Sequence, residues 1–264
     1  MSPAPLLEVS GLTVTFDGTA GPALDGISFS LEAGRTLSLV GESGSGKSLT
    51  ALAILRLLPP RAHMRSGLVR FQGRDLSTLD APAMRAVRGA GISLIFQEPM
   101  TALDPVMRVG DQIAEVLRIH RLARGAAAMD RAVELLEAVR VPQASVRARD
   151  YPHQLSGGLR QRVVIAMALA CRPPLVIADE PTTALDVTVQ AEVLALLRDL
   201  RDRFQLALLL ITHDFGVVAQ MADDVAVMHR GRIVESGDVR RVLRAPREAY
   251  TQALLAAVPG VPRT

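Results

Sequence analysis

The sequence predicts an α/β fold with a largely parallel sheet. Strand-like and helix-like segments alternate along the chain, and two of the strand-like ones, 175–178 and 206–211, are unbroken apolar runs of the kind covered on both faces. Size agrees: 264 residues with 49% hydrophobic side chains can bury a sizeable core, which excludes disorder over most of the length.

From Leu6 to Val40, short β-like runs at 12–16, 27–31 and Thr36–Val40 are separated by Gly, Pro and Asp turns, so this part reads as sheet. A glycine-rich stretch at 41–46 leads into a helix-like segment, 47–58, that Pro59 and Pro60 stop. Further strands are expected at 68–71 and 92–96. Between Pro105 and Arg149 the period changes: Val109, Ile113, Val116 and Leu117, then Val133, Leu135, Leu136 and Val139, are spaced as on helical faces. A helical insertion is expected there, with a looser connector at 142–154. Then come a helix at 159–170, the strand 175–178, a longer amphipathic helix Val187–Phe204, the strand 206–211, and a hairpin from 225–228 and 232–235.

Thirty basic against 27 acidic side chains leave a net charge of +3, too little for a nucleic-acid coat. The one cysteine, Cys171, excludes an internal disulfide and any cysteine-built zinc site or iron–sulfur cluster within the chain, and reads as a small packed side chain in a reducing compartment. No apolar run approaches the roughly 18 residues of a spanning helix, and residues 1–10 lack the pattern of a signal peptide. The chain is therefore expected to be soluble and cytoplasmic, reaching a membrane only through a partner. Among the basic residues 29 are arginine and only Lys47 is lysine, so Lys47 is expected to do something arginine cannot.

That lysine lies in Gly41-Glu42-Ser43-Gly44-Ser45-Gly46-Lys47-Ser48, a G-x-x-x-x-G-K-[ST] phosphate loop between a strand and a helix. Small residues let backbone N–H groups wrap phosphates, the helix N-terminus faces their charge, Lys47 reaches the β- and γ-phosphates, and Ser48 can ligate Mg²⁺. The plainer reading is a glycine turn before a helix. A second signal is the apolar run 175–178 ending in Asp179 and Glu180. Buried carboxylates at the carboxyl end of such a strand are costly unless they meet a cation or act on substrate. Asp179 is expected to hold Mg²⁺, and Glu180 to polarise the water that attacks the γ-phosphorus. The plainer alternative is a pair of acidic helix-capping residues.

The third signal, Leu155-Ser156-Gly157-Gly158-Leu159-Arg160-Gln161, resembles the L-S-G-G-x-x-Q signature of the ATP-binding-cassette (ABC) ATPases. Read from its residues alone, Ser156 with Gly157 and Gly158 makes a second anion site at a helix N-terminus, or simply a helix cap. The resemblance implies two subunits facing head to tail, each signature loop gripping the γ-phosphate bound on the other. It also implies an ABC-type phosphate-loop core with an antiparallel β subdomain and an inserted α-helical subdomain. Gln97 then matches the Q-loop glutamine that senses Mg²⁺ and the γ-phosphate. Ala184-Leu185-Asp186 matches the D-loop that crosses to the partner subunit, and His213 the switch histidine that contacts the γ-phosphate and steadies Glu180. Phe16 stands where the family stacks an aromatic ring on adenine, although a strand phenylalanine is also a common core residue. The implied ATPase domain spans residues 6–240, with the helical insertion at about 98–160 and a short tail at 241–264.

Four stretches look more narrowly like the dipeptide, oligopeptide and nickel importer branch: 96–105 (FQEPMTALDP), Tyr151-Pro152-His153-Gln154, 178–188 (ADEPTTALDVT) and the tail Tyr250-Thr251-Gln252-Ala253-Leu254-Leu255. Many longer members carry a C-terminal extension, sometimes with a cysteine cluster, whereas this sequence stops soon after Pro259. The resemblance implies ATP hydrolysis with Mg²⁺ and a second, homologous ATPase subunit. It also implies two integral-membrane permease subunits, an extracytoplasmic solute-binding protein, and a peripheral place on the cytoplasmic face of the inner membrane. No nucleic-acid partner is expected. A lipid or lipoprotein exporter motor and a soluble ABC ATPase are the competing readings. His63, His120 and His229 show no metal-ligand spacing and read as loop or surface histidines, and Arg240, Arg241, Arg244 and Arg247 as a solvated helical face.

Overall fold

The computed structural model describes residues 4–183 and 185–257. Two compact units divide them: one takes the residues up to Met84 together with those from Ala207 onward, the other Arg85–Leu206.

The first unit opens with strands β1 (Leu7–Phe16) and β2 (Pro22–Leu31). In β1 the buried positions are Leu7 and Val9, then Leu12 and Val14, so the inward phase slips by one residue. Gly11, at φ +61°, sits at that slip, where the register with the neighbouring strands also shifts. A bulge of this kind re-aims a strand without breaking it. Strand β3 (Thr36–Val40) is buried at all five positions, and helix α1 (Lys47–Ile54) follows the glycine-rich loop. That helix ends four residues before the expected 58. Arg56 turns left-handed at φ +52° and Leu57 N–H bonds back to the Leu52 carbonyl, a C-terminal closure that acts before Pro59 is reached. Strands β4 (Ala62–Phe71) and β5 (Arg74–Asp75) complete an antiparallel sheet in the order β2-β1-β4-β5. Helix α2 (Ala81–Val87), which the sequence reading did not anticipate, lies where the chain passes from one unit to the other.

In the second unit, strand β6 (Ile92–Ile95) leads to helix α3 (Pro99–Ala102), then to the expected helices α4 (Val109–Ile119) and α5 (Gly125–Ala138), followed by α6 (Ala144–Arg147) and the expected α7 (Gly157–Leu169). The connector expected to be loose at 142–154 holds α6 and a 3-10 turn at Pro152–Gln154. The apolar faces of α4 and α5 bury Ile113, Leu117, Ala128, Ala132 and Leu136. Strand β7 (Leu175–Asp179) pairs parallel with β6, with Ile95 opposite Ala178, and helix α8 (Val187–Phe204) has the bounds read from the sequence. Asp186 caps α8 by accepting the Val189 N–H at 3.0 Å, and Gln205 ends it at φ +52°.

Back in the first unit, strand β8 (Ala207–Thr212) is buried throughout and parallel to β3. Helix α9 (Phe215–Met221), capped by Asp214, precedes strands β9 (Asp224–His229) and β10 (Arg232–Asp238). Within this unit the strand order is β10-β9-β3-β8. Helices α10 (Val239–Arg244) and α11 (Ala249–Ala256) follow. Val40, Phe215, Val218, Val225, Val227, Val239, Val242 and Leu255 form a buried cluster that ties both helices to the sheet. The α/β fold with an antiparallel sheet and inserted helices is the one expected.

Candidate functional site

In the first unit, β3 runs parallel to β8 and β9, with Val40 opposite Thr212 on one side and Val227 on the other. The residues that follow β3 and β8 therefore emerge at one end of the sheet, the carboxyl end where open α/β sheets collect ligands. Those residues are the loop 41–48 and His213, which is exposed. Lys47, only 5% exposed, donates through Nζ to the carbonyls of Gly41 (2.7 Å) and Glu42 (2.9 Å). Two carbonyl acceptors so placed satisfy the buried Nζ and hold it beside the loop. Gly46, the N-cap of α1, has φ +106°, and a Cβ there would lie 2.6 Å from Leu24 Cδ2. A Cβ at Gly41 would stand 2.2 Å from the Met228 carbonyl oxygen, so this position has room only for glycine. Ser45 Oγ is buried with no hydrogen-bond partner among the described residues. A tight glycine cradle, an inward ammonium, a helix N-terminus and an unsatisfied hydroxyl together fit a phosphate chain. Phe16 ends β1 half-buried, outside the core set.

In the second unit the pairing of Ile95 with Ala178 brings Gln97 and the carboxylates Asp179 and Glu180 to the same end of β6 and β7. Gln97 Nε2 donates to Glu180 Oε2 at 3.0 Å, and Thr183 Oγ1 donates to the same oxygen at 2.9 Å. Glu180 is held in the left-handed region at φ +46°, a conformation costly for a non-glycine residue and characteristic of functional turns. Both carboxylates are half-buried rather than fully buried as expected, because the strand ends where the turn 181–183 begins.

Ser156 is the N-cap of α7 and accepts the Leu159 N–H at 3.4 Å. Gly157 and Gly158 form its first turn against the start of α8: added Cβ atoms would lie 3.5 Å from Leu185 Cδ2 and 2.5 Å from Val189 Cγ1. Arg160 fastens the Tyr-Pro-His-Gln segment to this helix, donating to the carbonyls of Pro152 (2.7 Å) and His153 (3.3 Å). Arg162 spans α7 and α8, meeting Glu192 at 2.8 Å and the carbonyls of Val139 and Arg140. Ala184, named with Leu185 and Asp186 as a D-loop, lies outside the described residues. Thr183, Arg162 and Tyr250, whose hydroxyl accepts the Glu42 N–H, were not singled out as site residues from the sequence. No group of three His, Cys, Asp or Glu suited to a metal ion occurs among the described residues, and no helix among them is long and apolar enough to cross a membrane.

The first unit's glycine cradle, inward lysine and helix N-terminus are the features of a nucleotide-binding phosphate loop. The family model for ABC transporters matches residues 24–183, and the chain belongs to that family. A solved structure titled as the dimeric post-hydrolysis state of the ATP-binding cassette MJ0796, bound to ADP and Pi, superposes with a TM-score of 0.78 at 27% identity, covering 89% of this chain and 99% of that one. The oligopeptide transport ATP-binding protein OppD of Bacillus subtilis is 52% identical over 257 residues, covering 96% of this chain and 72% of the relative. The glutathione import ATP-binding protein GsiA of Escherichia coli O157:H7 is 52% identical over 262 residues, covering 96% of this chain but 42% of that protein. Within the family, this is an ATP-hydrolysing subunit of an ABC importer.

Proposed function

We propose that the chain powers the uptake of di- or oligopeptides through a binding-protein-dependent importer. The observation that carries this reading is the 52% identity to an oligopeptide transport subunit along nearly the whole chain. The segment 96–105, Phe96 through Pro105, supports it, with Phe96 and Met100 exposed beside α3 where a permease segment could seat. Nickel, which the sequence motifs also allow, has no counterpart in the names of these relatives, and an exporter or non-transport role has none either.

In the proposed mechanism the ATPase domain occupies residues 6–240. Gly41–Ser48 binds the triphosphate and Phe16 receives the adenine. The hydroxyl, amide and carboxylate oxygens of Ser48, Gln97 and Asp179 suit Mg²⁺, a hard cation that would neutralise the phosphates. Glu180 acts as base toward the attacking water, and His213 steadies it. Ser156, Gly157, Gly158 and Asp186 serve the nucleotide of a second, homologous ATPase subunit, so that binding closes the pair and hydrolysis reopens it. Two permease subunits and an extracytoplasmic binding protein complete the assembly, with this chain peripheral on the cytoplasmic face.

The test is to co-purify the chain with its permease and binding protein and measure phosphate release with candidate solutes. Peptides should stimulate it. Stimulation by a nickel complex alone, or by no imported solute, would overturn the peptide reading.

A further inference from the structure

The tail motif that begins at Tyr250 has no part in the mechanism above. Helix α11, which carries it, is fastened to β10 by Glu235. This side chain is 7% exposed and accepts the backbone N–H groups of Arg247 (3.0 Å) and Glu248 (3.2 Å), with Arg241 Nη1 3.6 Å away. Burial opposes ionisation of that carboxyl, but the two amides and the guanidinium outweigh it and hold it below its ordinary pKa. Leu255, five residues on from Tyr250, lies in the buried cluster with Val40, Val225 and Val227.

The anchored helix seats Tyr250 against the phosphate loop. Its ring stacks on His229 with centroids 3.9 Å apart and planes 16° from parallel, and the Glu42 N–H donates to its hydroxyl at 3.5 Å. That N–H belongs to the same peptide unit as the Gly41 carbonyl, which accepts Lys47 Nζ at 2.7 Å. A peptide is planar, with its C=O and N–H pointing in opposite directions. Tyr250 and Lys47 therefore grip two opposite edges of one rigid plate, and the plate cannot turn without disturbing both. His229 secures the ring from the strand that also confines Gly41 through Met228. Burial raises the Tyr250 phenol above its ordinary pKa, the Glu42 N–H offsets part of that and the Glu42 carboxylate adds to it, so the hydroxyl stays protonated at neutral pH.

We propose that Tyr250, braced by His229, is a positioning residue for nucleotide binding: it orients the Gly41–Glu42 peptide so that the phosphate loop presents Lys47 to a triphosphate. A loop freed of this hold samples orientations that binding must then freeze out, which weakens affinity. The proposal rests on residues 41–48 being the phosphate site, and the experiment separates the two.

Tyr250→Phe keeps the stacked ring and removes only the hydroxyl. In the nucleotide-free chain, hydrogen exchange at the Glu42 amide should speed up. Equilibrium affinity for a non-hydrolysable ATP analogue should fall roughly three- to tenfold, the worth of one hydrogen bond. The KM for ATP should rise by the same factor with kcat within about twofold. His229→Ala, which keeps the hydroxyl but unseats the ring, should move affinity the same way, with His229→Phe closer to wild type; these two variants carry the test should Tyr250→Phe fold poorly. Unchanged exchange at Glu42, or unchanged affinity in both Tyr250→Phe and His229→Ala, overturns the proposal. Lys47→Ala run alongside shows whether the phosphate-loop reading itself stands: should it bind the analogue as tightly as wild type, that reading fails, whatever Tyr250 does.

Discussion

Lysine and arginine carry the same charge, yet Lys47 alone among 30 basic residues is lysine, and its place explains why. One compact ammonium meets two carbonyls, of Gly41 and Glu42, in a position 5% exposed. A planar guanidinium is broader and presents its donors as a fixed fork, which cannot set one nitrogen on both carbonyls as the Lys47 Nζ is set. Both Lys47→Ala and Lys47→Arg are therefore expected to lose ATP affinity, by about ten- to a hundredfold if charge-assisted hydrogen bonds of about 1.5–3 kcal/mol go with the ammonium. Calorimetric titration measures this, and wild-type affinity in the arginine variant would contradict the geometric argument. Lys47 was legible from composition and motif together, because both are local. Tyr250 was not: its partner Glu42 lies 208 residues away, and a tyrosine in a tail motif says nothing of which loop it faces. Thr183 stayed hidden for another reason: its bond to Glu180 exists only because the backbone turns left-handed there.

At the scale of single elements, agreement followed the strength of local signals. Helix α8 kept its bounds because Asp186 caps one end and a left-handed Gln205 closes the other. Helix α1 fell short because Arg56, an ordinary residue in sequence, takes a left-handed turn that no glycine announces. Short helices such as α2 and α9, seven residues each, offer too few turns for their period to stand out. The meeting of α7 with α8 yields a prediction in which two effects compete. Gly158→Ala gains about 1 kcal/mol of helix propensity. Its Cβ, however, would sit 2.5 Å from Val189 Cγ1, and a β-branched side chain in a helix has no easy alternative rotamer. Overpacking of this kind costs about 1–3 kcal/mol, so the clash should win and the melting temperature should fall by a few degrees, roughly 2–4 °C for each net kcal/mol in a domain of this size. Thermal unfolding followed by circular dichroism decides it. An unchanged or raised melting temperature would mean that α8 yields at Val189 and that the glycine is there for its backbone N–H alone.

Across the whole molecule, the proposed mechanism gives each chain two anion cradles of different construction, the loop 41–48 at the start of α1 and the cap at Ser156. One nucleotide seldom needs both from one subunit, which is the physical ground for the proposed pairing. The sequence made this pairing proposal legible through two motifs, but which subunit would be the partner depends on a surface that composition and period do not describe. Glu180→Gln offers a way to read it. The amide keeps the shape that meets Gln97 and Thr183 while losing the basicity needed to activate water, so phosphate release should fall at least about a hundredfold. Bound triphosphate would then persist and hold the closed pair together. Light scattering with ATP and Mg²⁺ should find the Glu180→Gln chain alone near its 28.3 kDa monomer mass, and near double that only when a homologous ATPase subunit is added. A doubled mass with no second protein present would show that the chain closes on itself and would overturn the heteromeric pairing. Phosphate release at the wild-type rate would instead remove Glu180 from the role of base.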